Sequence, residues 1–286
     1  MEHGGALFSQ LKDGHRDLSR NHRLLARYVV DHYQAVAFST IKELSQQSGV
    51  SEATIVRFAN AMKFRGYPEL QREVRRMVRA DLRGTDRFKL TYTGGMPHKK
   101  GPLSAIIARE MDNLASLQQT FDAKAFRQAV ATLRSASEIV VAGMRSTASL
   151  AQHLWFGLDK IELRVTRVTA ITTETYDHIA RLGAKACVVV IGFPRYLREL
   201  VELLDYAKRR GLKTVAITDS AFSALRADIM LCAPAESASF VAAHGAVLIL
   251  INALLQDISA LDKTHTLRAL NRFEAVADDR SYFHTA

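Results

Sequence analysis

Residues 39–70 read STIKELSQQSGVSEATIVRFANAMKFRGYPEL. Leu44 is apolar, Ser45 is small where two helices must approach, and Gly49 can take the positive φ of a tight turn. Val50 follows as an apolar plug. Ser51 then stands where a side-chain oxygen can accept a backbone N–H and start a second helix. From there Ile55, Phe58, Ala59 and Met62 recur at helical spacing and are predicted to face inward. Glu52, Ala53, Thr54, Arg57, Asn60 and Lys63 are left on or near the outer face, a set able to reach phosphates and base edges. A helical hairpin buried in a core would share the small-residue and glycine spacing, but not the basic outer face. The cap, the turn glycine and that face together predict a DNA-binding helix-turn-helix. Its candidate contact residues are Ser51, Glu52, Ala53, Thr54, Arg57, Lys63 and Arg65.

On the N-terminal side, Leu18–Tyr33 alternates apolar and basic residues at helical spacing, as a support helix crossing behind the motif would. On the C-terminal side, Pro68 opens a helix over Glu69–Leu82 carrying Arg72, Arg75, Arg76 and Arg79. Those arginines either track phosphates or form a solvated face. Residues 83–102, RGTDRFKLTYTGGMPHKKGP, lack apolar periodicity and read as a linker. From Leu103 the pattern changes. Helices over Ile106–Phe121 and Ala123–Ser135 lead into short apolar runs at Ile139–Ala142, Leu163–Val168, Ala186–Ile191, Thr214–Ile217 and Ile229–Cys232. Amphipathic helices separate them at Thr147–Lys160, Glu174–Arg181, Leu197–Arg210 and finally Phe240–Leu261. Doubly apolar strands alternating with helices predict a parallel sheet covered on both faces. The expected organisation is an all-α domain over 1–82, a linker over 83–102, an α/β domain over 103–274 and a tail over 275–286.

Two families are discernible in these segments. GVSEATIVRFANAMKFRGYPELQ closely resembles the N-terminal domain of RpiR-type bacterial transcriptional regulators. Ser51, Ala53, Thr54, Arg57, Phe58, Phe64, Gly66 and Tyr67 fall in register with it, whereas Lys63 stands where the family usually has glycine. EIVVAGMRSTASLAQHLWFGL (138–158) and CVVVIGFPRYLRELVELLDYAKRRGLKTVAITDSAFSALRADIMLCAP (187–234) look like a SIS domain, a phosphosugar-binding module that such regulators carry C-terminally. The resemblance implies a flavodoxin-like three-layer domain of about five parallel strands. It also implies that the loops Gly143–Thr147 and Gly192–Leu197 face one another across a ligand crevice, where the strand order reverses.

The first of these loops, Gly143-Met-Arg-Ser-Thr147, leads into a helix whose first N–H groups can hold an anion. Ser146 and Thr147 add hydroxyls and Arg145 a fixed positive charge; Ser146 could instead only cap the helix. The second loop departs from the SIS pattern S-x-S-G-x-T-x-E. Gly192, Pro194 and Leu197 replace its three hydroxyl residues, while Glu199 keeps the acid. Arg195 and Tyr196 offer different chemistry, an arginine facing Arg145. Alternatively Arg195 and Arg198 pair with Glu199 and Glu202 on the helix face. His244 could close the pocket or be structural. The candidate effector residues are therefore Arg145, Ser146, Thr147, Arg195, Tyr196, Glu199 and His244, and the expected effector is a small anionic metabolite.

Composition sets the outer bounds. The chain has 286 residues, 48% of them hydrophobic, a net charge of +10 and a pI near 9.7, favouring polyanionic partners. Residues 1–90 hold 16 Lys+Arg against 10 Asp+Glu, so the positive charge is densest around the helix-turn-helix. Cys187 and Cys232 sit in apolar runs without metal-ligand or redox spacing and read as buried thiols. No metal or cofactor is expected. The apolar run Ala246–Leu255 is shorter than the roughly 18–20 residues that span a bilayer. With no basic-then-apolar leader, the expectation is a cytoplasmic protein without membrane association.

An isomerase would need an acid/base group beside its substrate, and Glu199 is the sole candidate in the two loops. The sequence therefore favours a non-enzymatic, metabolite-responsive regulator on a palindromic double-stranded operator. It would act as a homodimer or homotetramer paired through the Leu150–Leu158 and Phe240–Leu261 helices. A SIS-fold sugar-phosphate isomerase with an added helical domain, and an architectural DNA-binding protein with a vestigial SIS domain, are the alternatives.

Overall fold

The computed structural model describes residues 18–81, 85, 101–237 and 241–284. The chain divides into two compact units, residues 1–95 and 96–286. Most of the expected linker lies outside the described residues.

In the first unit α1 (Arg20–Asp31) is capped by Ser19, whose side chain accepts from the His22 N–H. Its inner face buries Leu25, Ala26 and Val29. A short α2 (Tyr33–Val36) leads to α3 (Ile41–Ser48), which opens on a capping box. There the Thr40 hydroxyl accepts from the Glu43 N–H and the Glu43 carboxylate accepts from the Thr40 N–H. This is why Glu43 titrates below the ordinary carboxylate value. Gly49 ends α3 at φ 72°, Val50 is buried, and Ser51 caps α4 (Glu52–Ala61) through the Thr54 N–H. The helix after the motif, α5 (Tyr67–Asp81), is tied back by hydrogen bonds from the Tyr67 hydroxyl to the Ser39 carbonyl (2.6 Å) and from Arg75 Nε to the Ala37 carbonyl (2.6 Å). Leu25, Leu44, Ile55, Phe58, Leu70 and Val74 form a fully buried core.

The second unit opens with α6 (Gly101–Thr120) and α7 (Ala123–Ser135). Then follow β1 (Ile139–Ala142), α8 (Ala148–Lys160), β2 (Val165–Val168), α9 (Thr173–Arg181), β3 (Cys187–Ile191), α10 (Arg198–Arg209), β4 (Lys213–Thr218) and β5 (Ile229–Cys232). Two helices close the described chain, α11 (Gly245–Ala260) and α12 (Lys263–Asp279). The five strands are all parallel in the order β2-β1-β3-β4-β5. Successive residues point to opposite faces. Val141, Val189 and Ile217 pack under α6, α7, α8 and α11, while Val140, Val188 and Ala216 pack under α9 and α10. This is the expected three-layer domain, its central strands β1 and β3 reading as apolar runs because both faces are covered.

Two expectations need correction. The helix expected over Phe240–Leu261 begins five residues later, at Gly245, and α11 buries Ala246, Val247, Leu250, Ile251, Leu254 and Ile258 in its own core. The tail expected from residue 275 begins inside α12, a helix the apolar pattern did not reveal. Among the described residues no single helix is long and apolar enough to cross a membrane. Only α11 and α12 taken together pass on length and composition, and they meet at a 108° bend.

Candidate functional site

The reading face of α4 exposes Ser51, Glu52, Ala53, Val56, Arg57 and Asn60, with Lys63 and Arg65 exposed just beyond it. Thr54 is a correction, since it is buried at 7% exposure instead of lying on the outer face. Its hydroxyl meets Ser51 Oγ at 2.9 Å and accepts from Arg57 Nη2 at 3.2 Å. It is thus placed to hold Arg57. Val56, 38% exposed, takes the place on the face that Thr54 was expected to fill; an apolar side chain there can meet a thymine methyl. The helix ends with the Phe64 N–H donating to the Ala59 carbonyl and the Lys63 N–H to Asn60, a Schellman arrangement whose left-handed residue is Lys63 at φ 68°. Met62, expected inward, is half-buried. Arg75 folds back on Ala37 and Gln71, while Arg72 is exposed; the side chains of Arg76 and Arg79 lie outside the described residues.

In the second unit β1 lies between β2 and β3, so the chain reverses its direction of strand addition there. The loops after β1 and β3 flank that point. Gly143 admits the first loop: a Cβ there would stand 2.6 Å from the Thr147 carbonyl oxygen and 2.9 Å from Ala151 Cβ. The loop closes as a short 3₁₀ turn over Arg145–Thr147, with Arg145 exposed at φ 54°. Thr147 is turned inward. Its hydroxyl accepts from the Met144 N–H (3.1 Å) and donates to the Met144 carbonyl (2.9 Å), so it shapes the loop and is not presented to a ligand as expected. Ser146 is exposed and is not the helix cap, a position held by Thr147.

The second loop buries Phe193 and exposes Arg195 at φ 69°. The Tyr196 hydroxyl donates to Oδ1 of the buried Asp219 at the end of β4, and Asp219 also accepts from Thr218. Sequence reasoning missed Asp219. Its signal was an acid directly after an apolar strand at the carboxyl edge of the sheet. Arg198 pairs with Glu202 (2.6 Å) and belongs to the surface, as does the exposed Glu199. Among the described residues no carboxylate pairs with Arg145 or Arg195.

His244 precedes α11, half-buried with its ring 6.3 Å from that of Phe193. Its Nε2 is buried without a hydrogen-bond partner among the described residues. Burial pushes its pKa below 6.5, against the opposing pull of Glu110. Glu110 of α6 caps the same helix by accepting from the Gly245 N–H (3.0 Å). Arg109 reaches Glu236 and the Asn113 amide donates to the Glu236 carbonyl (2.9 Å), so α6 clasps the segment leading into α11. Among the described residues no cluster of three or more His, Cys, Asp or Glu could hold a metal ion.

The rpiR-family helix-turn-helix domain matches residues 5–80 and the SIS domain matches residues 132–256, together more than two-thirds of the chain. The chain belongs to the RpiR family of helix-turn-helix proteins with a C-terminal SIS domain. Among curated relatives, the uncharacterized HTH-type transcriptional regulator YbbH of Bacillus subtilis is 27% identical, covering 70% of this chain and 69% of that protein. The HTH-type transcriptional regulator HexR of Pseudomonas aeruginosa is 24% identical, covering 78% and 77%. Among solved structures, the sugar isomerase domain of an RpiR transcription factor from Sphaerobacter thermophilus superposes with a TM-score of 0.59 at 26% identity, over 60% of this chain and 98% of that one. The Vibrio vulnificus NanR protein, solved in complex with ManNAc-6P, shares the fold with a TM-score of 0.59 at 19% identity, over 96% and 98%. The chain is a transcriptional regulator and not an enzyme.

Proposed function

We propose that the chain is a metabolite-responsive regulator of a sugar or organic-acid catabolic pathway. It acts in the cytoplasm as a homodimer or homotetramer on a palindromic operator. Residues 1–82 form the DNA-binding domain, 83–102 the linker, and the part from residue 103 onward, α12 included, the effector-binding and dimerisation domain. A two-fold assembly presents two copies of α4 to half-sites one helical turn apart or a multiple of it. Arg57 reads a base edge, while Ser51, Glu52, Ala53, Lys63 and Arg65 lie against the backbone and neighbouring edges.

The observation that carries the effector reading is the backbone of two arginines. Arg145 and Arg195 are both held at left-handed φ, on the two loops flanking the switch point. Such strain persists where surrounding structure over-determines it, and it clusters at ligand sites. Two guanidinium forks across a crevice suit a carboxylate or phosphate. With Gly192, Pro194 and Leu197 in place of hydroxyl residues, the usual phosphate cradle is missing from the second loop, which favours a sugar-derived or organic acid. The Tyr196–Asp219 pair supports a polyhydroxylated ligand by bringing an oriented carboxylate to that loop. Ser146 completes the anion contacts, and His244 borders the pocket.

Calorimetry with a panel of sugar acids and hexose 6-phosphates tests this on the wild type and on Arg145→Ala and Arg195→Ala. Each substitution is expected to weaken binding of the recognised compound at least tenfold. Unchanged affinity in both variants, or tight binding of a neutral sugar, would reject the anion site.

A further inference from the structure

We propose that the amino-terminal edge of the sheet in the α/β unit is a second DNA-binding surface, one that grips the phosphate backbone of double-stranded DNA in addition to the contacts of α4. Lys185 stands two residues before β3, Lys213 opens β4, and Arg226 lies three residues before β5. All three are exposed. The strand register sets them side by side, with Lys213 opposite Cys187 and Val215 opposite Ile229. Neighbouring strands run about 4.8 Å apart, so the row is continuous across three strands. Two helix ends thicken it. Arg210, just past α10, donates to the Ala180 carbonyl (2.8 Å) and so lies beside Arg181, the last residue of α9. Lys208 of α10 donates to the Arg226 carbonyl (3.1 Å).

The charge on this edge is one-sided. Residues 178–186, 206–213 and 220–227 hold seven Lys+Arg and no Asp or Glu. The ion pairs among the described residues include none of those seven. The acids at the strand starts are already engaged. Asp228 accepts from the Thr214 N–H and hydroxyl, each at 2.9 Å, and Glu138 pairs with Arg164 at 3.0 Å. Helix C-termini draw cations into their last turn, which accounts for Arg181 and Lys208. It does not account for Lys185, Lys213 and Arg226, which lead into strands. These cations are strung along an edge at the opposite end of the strands from the loops of Arg145 and Arg195, so a small anion would meet only one or two of them. An extended polyanion meets the whole row. Duplex DNA carries one negative charge per about 1.7 Å of its axis, and it is the polyanion that a chain with an rpiR-family helix-turn-helix already holds.

The test measures binding of the full chain to a random-sequence duplex of about six helical turns, by fluorescence anisotropy over a series of salt concentrations. The wild type is compared with Arg181→Gln/Lys185→Gln/Lys213→Gln, which changes three exposed side chains and leaves the core untouched. The variant is expected to lose at least tenfold in affinity with an unchanged circular dichroism spectrum. Its slope of log affinity against log salt should be shallower by about 0.9 for each phosphate contact removed, about 2.7 in all. A slope and an affinity equal to those of the wild type would overturn the proposal. A second reading needs no substitution. Acetylation of Lys185 and Lys213 by an amine-reactive ester, followed by mass spectrometry, should slow at least fivefold when the duplex is added. Unchanged rates at both, while Lys63 beside α4 is protected, would confine DNA to the first unit and overturn this surface with the helix-turn-helix reading intact. Protection by single-stranded RNA or phosphatidylglycerol vesicles but not by the duplex would give the edge to another polyanion, and that also overturns it.

Discussion

Lys63 sits at φ 68° in the position that closes the Schellman turn after α4, where the RpiR family usually places glycine. A side chain in the left-handed region costs about 1–2 kcal/mol, part of which is recovered because lysine is less free than glycine in the unfolded chain. Lys63→Gly is therefore expected to raise stability by about 0.5–1 kcal/mol in urea titration. The same change should weaken DNA binding, since it removes an exposed charge beside the reading face. A variant that loses both stability and affinity would show that the lysine is held by something other than its charge. Arg57→Ala should cost about 1–3 kcal/mol at a specific site in gel-shift titration. Thr54→Val, which removes only the hydroxyl that Arg57 donates to, should cost less and spare the fold. Equal losses from the two would mean that Thr54 itself meets DNA. Gly49, Val50 and Ser51 were legible because each has one stereochemical task. Thr54 was not, because it lies at the edge between the buried and exposed faces, where the helical step alone does not decide. Cys187 is also legible: burial pushes its thiol up to about 12. Its folded value lies above the unfolded one, so the stability it contributes is complete below about pH 9 and lost as pH climbs towards 12. At pH 8 it should resist thiol reagents until the protein is unfolded.

At the scale of elements, the loop after β1 depends on Gly143. The atom that a Cβ would meet at 2.6 Å is a backbone oxygen of the turn carrying Arg145, so no side-chain rotation relieves the clash. Gly143→Ala should destabilise the protein by about 1–3 kcal/mol. It should also displace Arg145, weakening binding of an anionic effector beyond the loss of stability. Normal effector affinity in a destabilised variant would separate the loop from the site. The central strands β1 and β3 were readable because a sheet covered on both faces leaves short apolar runs, while edge strand β2 carries Thr166 and an exposed Arg167. Helix starts were less so. α11 begins at Gly245, well after the apolar stretch opens, because Glu110 from distant α6 supplies its first backbone partner. α12 escaped notice for a related reason. It buries only Ala269 and Ala277 and is fixed instead by the Arg272–Glu162 ion pair and Lys160 over the Phe273 ring, contacts that leave no wide apolar stripe in the sequence.

For the whole molecule, regulation is a free-energy coupling between two sites, not a property of either. The composition pointed to both partners: net charge of +10 to a polyanion, and two arginine-bearing loops to a small anion. It could not give the sign of their coupling, which depends on how ligand shifts the balance between assemblies that fit the operator and those that do not. An effector can shift that balance only by its different affinity for the two. Its effect on operator affinity must therefore equal the operator's effect on effector affinity, a factor of about 5–150 in typical cases. The measurement is calorimetric titration of the effector into free and operator-bound protein, beside operator titrations with and without effector. The two ratios are expected to agree, and both should collapse towards one in Arg145→Ala and Arg195→Ala at effector concentrations that saturate the wild type. DNA binding that ignores every ligand while those arginines are intact would make the α/β unit a scaffold for pairing alone. Agreement of the ratios that survives in both variants would place the effector elsewhere on the same unit, with the coupling real and the crevice wrong.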